Sequence, residues 1–272
     1  MERRDGRTSS SRLSIITRSN LPEISNTVLG IIQQEEKQMP TFLEDITPFY
    51  GTHDKNPAGQ TLEDFLEDYD PYKYEKPSCT TDAVVFSHDG ALSETLEGLK
   101  ILMVKRSNHP SIGFWALPGG FIEMKEDLED TAKRELMEET GLKNPVMEQF
   151  ATFGDYNRDP RTRVITTAYM AMVDEKDVSI KAGDDAADAA WCNVEMELAA
   201  ESNEKEAVRR TYILHFVNKE KCLDTRAVVE HTLRRGLIRE EHFTVSEQGM
   251  IAVDHAGIVA QAMTILRGRL EE

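Results

Sequence analysis

Cysteine is scarce in this chain of 272 residues. Cys79, Cys192 and Cys222 are odd in number and scattered without metal-ligand spacing, so they supply neither a disulfide framework nor a zinc site. Free thiols fit a reducing compartment, and a cytoplasmic location is expected. Long apolar runs are also lacking. The longest are a few residues, as from Ile101 to Val104, too short to cross a bilayer, and the N-terminus has no apolar core segment of the kind a secretory leader needs. Positive charge is outweighed as well: 32 Lys and Arg against 49 Asp and Glu leave a formal net charge of -17. Such a chain repels nucleic acid backbones and anionic membranes, so neither is expected as a partner. No internal repeat is present.

The sequence does hold a stretch, Gly120 to Leu142, around which the rest is organised. Asp127 can cap a helix, with Asp130 three residues on in the manner of a capping box, and Gly141 supplies a left-handed stop. A helix from about Leu128 to Thr140 follows. At roughly 100° per residue, Leu128, Ala132 and Leu136 form the buried stripe; Glu135 and Glu139 fall within it, and Glu138 lies one step to the side. Asp130, Lys133 and Met137 take the solvent side. Carboxylates placed together on the apolar side repel one another unless a cation neutralises them. Hard oxygen ligands suit Mg²⁺, with Mn²⁺ as the alternative, and such an ion shares its shell with water and substrate phosphates. The plainer reading is a helix with acidic decoration.

Gly120, five residues, Glu126, seven residues, then Arg134-Glu135-Leu136-Met137-Glu138-Glu139-Thr140-Gly141-Leu142 resembles the Nudix box, the loop-helix-loop of hydrolases that cleave nucleoside diphosphates linked to another group X. The resemblance implies an α/β fold, an αβα sandwich with a mixed β-sheet, and metal-dependent attack of water on a diphosphate. By position it implies Glu135, Glu138 and Glu139 as metal-facing catalytic acids with the Gly120 carbonyl nearby, and Arg134 and Glu126 as the internal ion pair that holds loop to helix.

Ahead of this lies an N-terminal extension, taken as residues 1–75. Its first 20 residues are rich in Arg and Ser, as a disordered segment or an organelle transit segment would be; Glu2 and Asp5 interrupt the latter pattern. Ile24, Val28, Ile31 and Ile32 recur at helical spacing before Pro40, and Thr61 can cap a short acidic helix through Asp68. The first helix is able to dock on the main domain or on a twin chain, which leaves a homodimer open.

The domain proper is taken as residues 76–272. Strands are expected at Thr80 to Ser87, Lys100 to Arg106, Val146 to Phe153, Val164 to Val173 and around Ala190 to Val194. Arg106 ends the second strand beside the box, where it can meet substrate. Trp115, in an irregular Gly- and Pro-rich loop, either stacks on a base or fills the core. Arg158 and Arg161, with Arg163, stand out in so acidic a chain; arginine forks suit phosphate oxygens, and solvated or ion-paired surface is the alternative. Asp184 or Asp185 supplies a base or holds a second metal from a loop, and a turn with two solvated aspartates is the alternative. Residues 195–250 look like an insertion: an acidic stretch, a strand from Thr211 to Val217, an ambiguous segment from Arg226 to Arg235 and a strand near Phe243. Asp254 can cap a last helix, with His255 packed at its start.

The lead-in from Tyr69 to Ser78, the segment around Arg158 and the Gly183 to Val194 region resemble the ADP-ribose pyrophosphatase-like subgroup. What the resemblance implies is Mg²⁺-dependent hydrolysis of ADP-ribose to AMP and ribose 5-phosphate. Hydrolysis of a nucleotide sugar, a dinucleoside polyphosphate or NADH is the alternative within the class, and a non-catalytic nucleotide-sensing regulator is the alternative outside it.

Overall fold

The computed structural model describes residues 42–88, 90, 92–93, 95–174 and 186–271. The expected helix before Pro40, the Arg- and Ser-rich start, and Asp184 and Asp185 lie outside the described residues. The chain divides into two compact units, Met1–Tyr74 and Glu75–Glu272. In the first, a 3-10 turn at Thr47–Phe49 precedes α1, Leu62–Asp68. Thr61 caps α1 through a complete capping box with Asp64, as its sequence predicts.

The second unit is built on one mixed sheet in which neighbours run β10-β9-β8-β7-β2-β1-β6-β5. The strands are β1 Ser78–Ser87, β2 Lys100–Arg106, β3 Trp115–Ala116, β4 Gly119–Phe121, β5 Glu148–Phe153, β6 Val164–Val173, β7 Ala186–Asn203, β8 Ala207–Asn218, β9 Leu223–Arg234 and β10 Glu240–Glu247. Among the described strand pairs β1 and β6 alone run parallel, in register from Ser78 opposite Val164 to Ser87 opposite Val173; the rest are antiparallel. The short strand β3 pairs with β2, and β4 with β1.

Two helices, α2 at Leu128–Thr140 and α3 at His255–Leu270, cover the sheet. Because side chains alternate along a strand, β1 feeds both faces. Ala83 and Val85 pack with Leu102, Ala171 and Leu136 of α2, whereas Val84 and Phe86 join Ile101, Met103, Leu214 and Phe216 in the core that holds Ile258, Val259 and Met263 of α3. This is the αβα sandwich. Among the described residues no helix is long and apolar enough to cross a membrane.

Two capping expectations need correction. Helix α2 starts after Asp127, but that side chain makes no cap hydrogen bond. The loop is held instead by Glu126, which takes the Thr131 hydroxyl and the Arg134 fork. Asp254 precedes α3 and does not cap it either, because both its oxygens are occupied by Arg158, at 2.8 and 3.0 Å. Gly141 does end α2 in the left-handed conformation, with φ 77°.

Residues 195–250 extend the same sheet. The acidic stretch is strand: exposed Glu195 and Glu197 alternate with buried Val194 and Met196 as β7 runs on to Asn203. The ambiguous segment is β9, whose inward row is Leu223, Thr225, Ala227, Val229 and His231. His231 breaks the apolar alternation in sequence. It is tolerated inside because Glu241 lies 2.7 Å from its Nε2 and Phe243 stacks on its ring at 4.3 Å.

Candidate active site

Pairing of β4 with β1 sets the site. Gly119 lies opposite Asp82 and Gly120 opposite Thr81, so the glycine pair is pressed between β1 and the inner side of α2. A side chain at Gly120 would collide with the Glu135 carboxylate, and one at Gly119 would collide with the Thr81 carbonyl. At Gly119, where the neighbour is backbone, only glycine permits so close an approach; a side chain at Gly120 would push the Glu135 carboxylate aside. The Gly119 N–H donates to Glu139 Oε2 at 2.9 Å, which ties loop to helix at the point where the cleft opens.

The cleft has a volume of about 520 Å³, the size of a small-ligand site. It brings together Glu135, Glu139, Gly120, Arg106, Arg158 and Arg161 of the residues singled out from sequence. Burial pushes the Glu139 carboxyl up to about 7; the neighbouring Glu135 and Asp82 act in the same direction, against the Gly119 N–H and Arg106. The helical wheel is realised except at Lys133, which was placed on the solvent side and is half-buried, its ammonium held by Glu129 at 2.6 Å. Glu135 and Glu139 are half-buried on the packed side, whereas Asp130, Met137 and Glu138 are exposed.

Arg134 stands beside the cleft. Its Nε and Nη2 reach the two oxygens of Glu126 at 2.8 and 3.0 Å, Nη1 reaches Glu135 at 2.7 Å, and Nη2 also donates to the Phe121 carbonyl at 3.2 Å. This bidentate pair holds loop to helix. Arg134 and the Thr131 hydroxyl lower the Glu126 carboxyl to about 2. Glu138 lies on the outer side, its side chain 54% exposed and 3.4 Å from Arg134 Nη1. Among the described residues no group of three or more His, Cys, Asp or Glu converges as a metal cage. Glu135 and Glu139 beside Gly120 still form a hard-oxygen set that fits a small divalent cation, the kind of ion that keeps several of its waters.

Trp115 does not face a ligand. It is 3% exposed and packed in the core on the α3 side, fixed by exchange of backbone hydrogen bonds with the 250–252 segment. The reading of it as a base-stacking residue is therefore corrected: β3 turns the ring inward. Arg158 lines the cleft with its fork already bound to Asp254, Nη2 lying 3.6 Å from Asp82 and the side chain 7% exposed. Arg161 is half-exposed, held by Asp159 at 2.8 and 3.0 Å and set over the Phe121 ring. Arg106 lines the cleft while its Nε donates to the Pro110 carbonyl at 2.7 Å.

Asp82 and His255 enter the cleft wall without having been singled out as site residues. Asp82 carried one signal, a carboxylate directly ahead of the apolar run Ala83 to Phe86 in a strand. His255 carried none, since a histidine after a capping aspartate reads as packing.

The NUDIX domain family model matches residues 80–213. The chain is 40% identical over 114 residues to the ADPR responsive transcriptional repressor NtrR of Acinetobacter baylyi, covering 41% of this chain and 43% of that protein. It is 43% identical over 90 residues to the ADP-ribose pyrophosphatase of Methanocaldococcus jannaschii, covering 33% and 52%. The chain thus spans about half the length of the curated relatives it matches. A MutT/nudix family protein from Enterococcus faecalis superposes with TM-score 0.53 at 29% identity, over 76% of this chain and 70% of that one.

Proposed function

Because the chain belongs to the Nudix family, we propose that it hydrolyses a nucleoside diphosphate linked to another group, with ADP-ribose as substrate and AMP and ribose 5-phosphate as products. One observation carries this reading: the Glu139 carboxyl, raised to about 7, shares a cleft with Glu135 and three arginines. A carboxylate so placed lacks its counter-charge, and a cleft so lined suits a diphosphate. We assign the counter-charge to Mg²⁺, with Mn²⁺ as the alternative, held by Glu135, Glu139 and the Gly120 carbonyl. When bound, such an ion polarises phosphoryl oxygens and lowers the pKa of coordinated water.

The chain's own groups do the rest. Arg161 and Arg106 bind the diphosphate oxygens. Arg134, neutralised by Glu126, keeps Glu135 turned toward the cleft. Glu138, solvent-exposed beside Arg134, takes the proton of the attacking water as a phosphorus–oxygen bond of the anhydride breaks, which delivers one phosphate to each product. The similarity to the A. baylyi repressor favours a second reading, a nucleotide sensor that binds without cleaving and in which nucleic acid is a partner.

Release of mononucleotide from a panel of ADP-ribose, a nucleotide sugar, a dinucleoside polyphosphate and NADH, with Mg²⁺ and with Mn²⁺, separates these. ADP-ribose should be turned over fastest. Preference for another compound removes the ADP-ribose assignment, and tight binding without turnover of any compound favours the sensor.

A further inference from the structure

We propose that His255 and Asp82 together read a sugar hydroxyl of the ligand. The proposal rests on the reading of the cleft as a site for a nucleoside diphosphate linked to a sugar, and it concerns a contact which that reading does not supply.

The Leu117 backbone N–H donates to His255 Nδ1 at 2.8 Å. A backbone amide only donates, so Nδ1 is the acceptor and the ring proton of the neutral imidazole sits on Nε2. The tautomer is thereby set by main chain far away in sequence. Nε2 makes no hydrogen bond among the described residues, and Asp82 Oδ1 stands 4.0 Å from it. Nor is Nε2 among the buried polar atoms sealed off without a partner. It is a fixed donor, open to the cleft whose wall it forms.

Asp82 is fixed as well. Its other oxygen lies 3.6 Å from Arg158 Nη2, and Arg158 is anchored on Asp254, the residue before His255. The donor and the acceptor are therefore held in one frame, with a gap too wide for a direct hydrogen bond. An oxygen about 2.8 Å from each side spans such a gap. That oxygen must accept from Nε2–H and donate to a carboxylate. A phosphate oxygen fails the second condition and carries the same charge as Asp82. A hydroxyl meets both. Water is the competing occupant; a ligand hydroxyl is favoured because the gap opens into the same cleft as Arg161, Glu135 and Glu139.

The test is a binding cycle in metal-free buffer, so that hydrolysis does not enter. Calorimetry compares ADP-ribose with analogues each lacking a single ribose hydroxyl, on the wild-type protein, on His255→Leu and on Asp82→Asn. One analogue should bind wild type at least about tenfold more weakly than ADP-ribose, and the same analogue should lose nothing further on His255→Leu. Asp82→Asn, which keeps an acceptor, should retain most of the discrimination and guards against a His255 variant that fails to fold. Additive losses for every analogue, or no loss for any, would overturn the proposal and leave water in the gap. Discrimination without turnover in the panel above would sink the hydrolase reading alone. Failure of wild type to bind ADP-ribose here, together with failure to turn it over with Mg²⁺ or Mn²⁺, would sink both.

Discussion

Glu139 Oε2 accepts the Gly119 N–H at 2.9 Å, and this hydrogen bond opposes only part of what burial does to the carboxyl, which stays raised to about 7. The folded protein therefore holds a proton there that the unfolded chain, with an ordinary value near 4.5, has already released. Without metal, stability should fall as pH rises from about 4.5 through 7, by on the order of 3 kcal/mol. Glu139→Gln keeps an acceptor for Gly119 and removes the charge. Its metal-free melting temperature should match or exceed wild type at neutral pH and lack this decline, added Mg²⁺ should stabilise it less, and activity should drop by roughly 10²-fold or more. Melts from pH 5 to 8.5, with and without Mg²⁺, check this. A variant that melts far below wild type without metal would make Glu139 a structural partner.

Glu126 works in the opposite sense. Held down to about 2 by Arg134 and Thr131, it contributes stability that is present above about 4.5 and is lost as pH falls toward 2. Glu126→Gln should flatten the acid limb of the melting profile. It should also lower kcat, because Arg134 is then free to draw Glu135 and Glu138 together. An unchanged acid limb would place the stabilisation elsewhere.

The two cleft arginines should separate under mutation. Removing Arg158 strands Asp254 and Asp82, so Arg158→Ala should cost about 3–5 kcal/mol, readable in urea unfolding. Arg161 is half-exposed and tied to a local aspartate. Arg161→Ala should leave stability within about 0.5 kcal/mol and raise KM more than it lowers kcat. Equal behaviour of the two variants would contradict the geometry.

Trp115→Phe should leave KM for ADP-ribose within about twofold, whereas Trp115→Ala should destabilise by roughly 3–5 kcal/mol through the cavity it opens. A large KM effect in the phenylalanine variant, with stability intact, would return Trp115 to the ligand.

Much of the frame could be read from order and spacing. Helix α2 from Leu128 to Thr140, its end at Gly141 and the limits of β2 and β6 follow from apolar patterns bounded by turn residues. The exposure of Glu138 against the half-burial of Glu135 and Glu139 follows from the helical period. What could not be read is the set Asp82, Arg158, Asp254 and His255. These come from a strand, a loop and a helix start, far apart in the chain, and only tertiary pairing brings them together. The same pairing explains the false caps. A side chain taken by a distant arginine is no longer available to its own helix, and local rules do not see the competitor.

The parallel register of β1 with β6 also governs the order of assembly. Ser78 meets Val164 only after the chain between them, including the glycine loop and all of α2, has been laid down. Closing so long a loop costs entropy before any ladder contact repays it, which makes this pairing a slow step. Until it closes, the face of β1 that receives Leu136 has no neighbour in Ala171. The packing of α2 against the sheet is thus completed only when this ladder forms.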